Sequence, residues 1–98
     1  MDVTIDYSRI PSHMQESVRE YVERGRPLGS GSFLEFVFAN DLVHAFGKAD
    51  ETNRAAMFEY SCFLYAAPLG CWGSLEKVHA WQKAGGLHGV MKKEITDG

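Results

Sequence analysis

Cysteine is scarce, cationic residues do not dominate, and no long apolar run is present. Each of these shortages removes a class of protein. The chain has two cysteines in 98 residues, Cys62 and Cys71, without the multiple paired spacings of a disulfide scaffold, so reduced thiols are expected. It has no CxxC, and His13, His44, His79 and His88 are scattered; the roughly four N/S ligands of a structural zinc site are not gathered, and no metal or cofactor is expected. Ten Lys and Arg against 13 Asp and Glu give a formal charge of -3, which disfavours duplex DNA or RNA as a direct partner. No stretch approaches the roughly 18 consecutive apolar residues of a spanning helix, and MDVTIDYSRI lacks a basic region leading into an apolar run. The expectation is a soluble, cytoplasmic protein with no membrane partner and no enzymatic activity, since no catalytic motif stands out.

What is present is helical punctuation. Ser12 to Gln15 and Ser32 to Glu35 have the capping-box spacing, in which a serine oxygen accepts an orphan backbone N–H and the Gln or Glu reaches back to the cap. Asp50 and Ser74 are single N-cap candidates, each followed by an acid in the first turn. Gly25, Gly47 and Gly85-Gly86 follow periodic segments, where glycine accepts a left-handed conformation, and Pro68 cannot continue a helix. The reading is one all-α domain over residues 1–98, a compact four-helix unit with helices near 13–24, 33–46, 51–66 and 75–84 and a flexible tail after about 86.

Apolar stripes orient these helices. Met14, Val18, Tyr21 and Val22 line one side of the first, leaving Glu16, Arg19, Glu20, Glu23 and Arg24 on a solvated face. Ala56, Tyr60, Phe63, Leu64 and Ala67 do so in the third, and Leu75, Val78 and Trp81 in the fourth. In the second, Leu34 to Phe46, apolar residues spread over about 200°, which makes it a central post needing neighbours on two sides. Its narrow remaining edge holds Asn40, Asp41 and His44, with Phe33 and Val37 beside them. Val3, Ile5 and Tyr7 alternate with polar residues, and His88 to Ile95 can be extended too, which permits a short pairing of the two ends as strands.

Three constellations invite a functional reading. In the loop Gly25 to Ser32, the glycines at a helix start can present N–H groups to an anion, with Arg24 and Arg26 as charged donors. Gly29, Ser30, Gly31 and Ser32 complete that candidate ligand site. The loop has neither GxxxxGK[ST] nor GxGxxG and follows a helix, so a plain Gly/Ser turn is the leading account. Asn40, Asp41 and His44 share a helical face, and a carboxylate beside an imidazole can form a general base, although a polar contact edge explains them as well. Cys71 precedes a helix N-terminus, but with no identifiable partner it reads as a plug, with Trp72, at the end of the bundle. The many aromatics leave a core and an interface both open, with a homodimer as the commonest form of the latter.

The pattern Tyr21-Val-Glu, Gly25, Gly31-Ser-Phe-Leu, Asn40-Asp-Leu, Ala49-Asp and Cys71-Trp-Gly-Ser resembles a group of small proteins encoded by bacteriophages and prophages, over roughly residues 7 to 85. The resemblance implies a helical fold and a phage setting, and transfers no catalytic residue. In size, charge and origin such proteins are similar to inhibitors of bacterial defence such as anti-CRISPR proteins. The leading expectation is therefore a non-enzymatic protein in the cytoplasm of a bacterial host, binding a host protein or complex through Asn40, Asp41 and His44 together with Glu16, Glu20 and Glu23. The alternative is a module holding a phosphate-bearing or nucleotide signalling molecule at the Gly/Ser loop.

Overall fold

Val18, Tyr21 and Val22, the predicted inner stripe of the first helix, are fully buried, and Phe38, Tyr60, Phe63, Val78 and Trp81 close around them. The computed structural model describes residues 5–97, and among these no strand is present. The helices are α1 Gln15–Arg24, α2 Phe33–Phe38, α3 Leu42–Lys48, α4 Glu51–Ala55, α5 Met57–Ala66, α6 Leu75–Ala84 and α7 Gly86–Asp97, with 3-10 turns at Tyr7–Arg9, Ser12–Met14 and Leu69–Cys71. A radius of gyration of 13.2 Å matches the ~13 Å of a compact chain of about 100 residues. An aromatic chain runs through the core: Tyr7 on Phe63, Phe63 on Phe38, and Phe38 on Tyr21, at centroid distances of 5.6, 6.5 and 4.7 Å.

Three predicted caps work as expected. Ser32 Oγ accepts the Glu35 N–H at 3.1 Å, Asp50 Oδ1 that of Asn53 at 2.7 Å, and Ser74 Oγ that of Lys77 at 3.1 Å. Glu35 reaches back one residue further than a capping box requires and accepts the Gly31 N–H at 2.8 Å. The box at Ser12 does not form. Pro11 leads into a 3-10 turn instead, α1 starts at Gln15, and the Gln15 amide donates to the Ile10 carbonyl at 2.9 Å.

The helix expected over 33–46 is two helices. Its first half is central, with Phe33, Leu34, Val37 and Phe38 buried, so Phe33 and Val37 belong to the core and not to the polar edge. Its second half turns outward: Leu42 is 60% and Val43 79% exposed, and only Ala45 of α3 is buried. Gly47 consequently lies inside α3 and ends nothing. The helix expected over 51–66 bends at Ala56, whose backbone leaves the helical region (φ -96°, ψ 9°). The bend accompanies the turning inward of Asn53, the one buried polar residue described, whose Oδ1 accepts the Tyr60 hydroxyl at 2.7 Å.

The ends also differ from expectation. Tyr7 is buried in a 3-10 turn and donates to Glu23 at 2.8 Å, while Val3 lies outside the described residues. The segment after 86, expected as a flexible tail or strand, is α7. Leu87 and Val90, three apart, pack on the core, and that helical spacing outweighs the alternation read in the sequence. Gly85 still ends α6 in the left-handed conformation (φ 86°), as predicted, but Gly86 begins a new helix at once. Leu75, assigned to the inner stripe of α6, is exposed. At the bundle's end the Cys71 carbonyl accepts the buried Tyr21 hydroxyl at 2.6 Å, and the Gly73 N–H donates to Phe38 O at 2.8 Å.

Candidate functional site

The α2–α3 elbow is dictated by two adjacent polar residues. The Asn40 N–H donates to Val37 O (3.1 Å) and the Asp41 N–H to Phe36 O (2.9 Å), the paired bonds of a Schellman motif that ends a helix on a left-handed residue. Asn40 supplies it, with φ 62°, the one non-glycine residue of positive φ among those described. Asp41 then caps α3: one carboxylate oxygen faces the His44 N–H at 3.5 Å and the other meets His44 Nδ1 at 2.8 Å. Asn and Asp favour these positions because their short side chains bond locally to backbone. The trio read as one helical edge is therefore a hinge between two helices. Asn40→Ala is expected to cost about 1–2 kcal/mol in chemical denaturation, and Asn40→Gly close to nothing, because only the left-handed conformation separates the two.

Around the elbow the polar groups form a rim. The His44 ring stacks on Phe36 at 5.1 Å with 23° between planes, and its Nδ1 is held by Asp41. Inside the rim is a recess of about 50 Å³ between Phe36, Asn40, Asp41 and Leu42 on one side and Met57, Ser61 and Leu64 of α5 on the other. That volume is far below the ~300–1,000 Å³ of small-molecule sites and suits one apolar side chain of a partner. Leu42, which lines it, is exposed, as are Val43 and Phe46 on the same helix. The aromatic content of the sequence is thus divided: Tyr21, Phe33, Phe38, Tyr60, Phe63 and Trp81 build the core, whereas Phe46, Phe58 and Tyr65 face outward.

The acidic residues grouped with this edge sit elsewhere. Glu16 and Glu20 line a separate open groove with Arg26, Pro27 and Leu28, sharing no residue with the elbow recess. Glu23 accepts the Tyr7 hydroxyl and faces His88 Nε2 at 3.7 Å.

The Gly/Ser loop satisfies itself. The Gly31 N–H goes to Glu35, Ser32 Oγ donates to Leu28 O at 2.8 Å, and Gly29 O accepts the Ser32 N–H at 3.2 Å, with Gly29 and Ser30 exposed in the turn. Arg24 and Arg26 both approach the same Glu20 oxygen, at 3.8 and 4.0 Å, too long for hydrogen bonds to that buried atom. In the groove Glu16 and Glu20 stand beside Arg26, so the cation nearest the loop already faces carboxylates.

Burial pushes the Cys71 thiol up to about 12, which keeps it protonated and inert as a nucleophile. Burial likewise raises Tyr60 and Tyr21 above the ordinary phenol range, so both hydroxyls stay donors. Among the described residues no group of three His, Cys, Asp or Glu could hold a metal ion, and no helix is long and apolar enough to cross a membrane. The chain matches no protein-family model, no curated protein and no solved structure. The signal that could have located the elbow was the Asn-Asp pair itself, a helix stop followed directly by a helix start, set within an apolar run.

Proposed function

We propose that this protein acts by binding another protein at the α2–α3 elbow, without chemistry of its own. The observation that carries this reading is the exposure of Leu42, Val43 and Phe46 on α3, the helix whose Leu42 lines a small apolar recess edged by Asp41, with His44 bonded to Asp41. Apolar anchors at the centre with polar groups around them are the usual anatomy of a contact surface. Asp41 and His44 keep their place in it as the rim, whereas Glu16, Glu20 and Glu23 have no geometric link to the recess. The resemblance to small phage proteins makes a bacterial host protein the proposed partner class, and a component of a defence complex, occupied and so inhibited, its most specific form.

The test is a substitution at the most exposed anchor. Val43→Asp is expected to leave the melting temperature within about 2 °C, as surface changes do, and to weaken the affinity for a host protein retained by the wild type at least about tenfold. Isothermal titration with that purified host protein reads it. Unchanged affinity for the same protein would remove the elbow from the binding surface.

A further inference from the structure

The structure carries a second apolar surface, on α5, which meets the elbow recess at Ser61. Helix α5 is apolar on both sides: Tyr60, Phe63 and Leu64 face the core, yet Phe58 is 73% and Tyr65 89% exposed on the opposite face. A helix that is apolar all round ordinarily has neighbours all round. Here the outer stripe Phe58, Ser61, Cys62, Tyr65 has the i, i+3, i+4, i+7 spacing of one helical face; Phe58 and Tyr65 stand uncovered, while Ser61 borders the elbow recess and Cys62 a shallow cleft with Ile5 and Arg9.

We propose that this stripe is the twofold contact between two copies of the chain, their α5 helices crossing antiparallel. Its order is large, small, small, large, and therefore reads the same in both directions. A twofold axis perpendicular to α5, placed between Ser61 and Cys62, sets Phe58 against the partner's Tyr65 and Tyr65 against the partner's Phe58. It brings Cys62 beside the partner's Cys62 and Ser61 beside the partner's Ser61. Such self-complementarity is what an isologous interface requires, and the small residues at the crossing admit the 8–10 Å helix separation of close packing.

Charge and hydrogen bonding agree with burial of this face. The stripe contains no ionisable carboxylate or cation, and the adjacent Glu59 is turned to Arg9, 3.0 Å away. Ser61 Oγ already donates to Met57 O at 3.1 Å, so covering it orphans no donor. The two rings alone expose roughly 300 Å² per copy, taking ~150–250 Å² for a free aromatic side chain. That is a substantial share of the ~800 Å² each partner contributes to a standard interface, concentrated at its centre.

Sedimentation equilibrium and a thiol cross-link test it together. The wild type is expected at twice the 11.0 kDa of the chain, and Tyr65→Asp, which enters the interface twice, is expected to raise the dimer dissociation constant at least about tenfold. A short bismaleimide, to which each thiol adds across one double bond without an oxidant, is expected to join two chains through Cys62. The covalent dimer vanishes in Cys62→Ser, because Cys71 is fully buried. A mass of 11.0 kDa at every concentration overturns the proposal, as does a dimer that survives Tyr65→Asp and gives no Cys62 cross-link. A monomer whose Tyr65→Asp variant loses a host protein would assign the face to that protein instead and equally overturn self-association. The elbow reading keeps its own test in Val43→Asp, which leaves the α5 stripe unaltered, although Ser61 lines both surfaces.

Discussion

Gly86→Ala is expected to lower the melting temperature by about 12–24 °C, a loss of about 3 kcal/mol at the 4–8 °C per kcal/mol of a domain this size. Two costs add. Gly86 has φ 68°, where a side chain costs roughly 1–2 kcal/mol. The new Cβ would also press on the Gly25 nitrogen, and would lie 2.6 Å from Arg24 N and 2.7 Å from Glu23 C. Backbone atoms cannot swing aside as a lysine tip can, so the α1 end and the α6–α7 joint must separate. Gly31→Ala is the control: its φ is 71° but nothing lies within 4 Å of the added carbon, and only the conformational cost of about 1–2 kcal/mol should appear. Equal melting points for the two variants would show that the two glycines do not meet.

Trp81→Ala is expected to be at least as damaging, about 3–5 kcal/mol by the precedent of large aromatic truncations. For a domain whose whole stability lies near 5–15 kcal/mol, that approaches unfolding at 37 °C. The ring fills space against the 69–71 turn, where a carbon added to Gly70 would stand 3.1 Å from it. Its Nε1–H donates to Val22 O at 3.0 Å in a buried setting, and this carbonyl belongs to the last turn of α1, where helix carbonyls have no partner of their own. Trp81→Phe separates the two effects. It keeps most of the ring and leaves Val22 O unpaired, for an expected loss of about 1–3 kcal/mol. Urea denaturation of both variants checks the order; a Phe variant as unstable as the Ala variant would place the whole effect in the hydrogen bond.

Helix content and most core positions were legible because they rest on local rules. The serine and aspartate caps at 32, 50 and 74, the left-handed glycines at 25 and 85, and the stripe through Val18, Tyr21 and Val22 all follow from short-range chemistry. The elbow was not legible as an elbow. Its apolar flanks satisfied a helical period right through Asn40 and Asp41, and periodicity outvoted two residues whose combined preference is to stop one helix and start another. That single miscount of continuity turned Leu42, Val43 and Phe46 from interior residues into surface ones. Asp41 and His44 were read as a pair, and they are one, at 2.8 Å. Whether Glu16 and Glu20 would share a surface with them depended on how α1 crosses the α2–α3 hinge, which no local pattern encodes. The C-terminal helix was missed for a related reason: the glycines at 85, 86 and 89 argue against a helix locally, while Leu87 and Val90 gain enough from the core to override them.

The bond from Trp81 to Val22 spans 59 positions and that from Tyr21 to Cys71 spans 50. A nascent chain that has left the ribosome only as far as α5 can close its first helix at Gly25, but it lacks the partners of the Val22 carbonyl and of its most buried tyrosine. Those two bonds must await synthesis of the 69–71 turn and of α6.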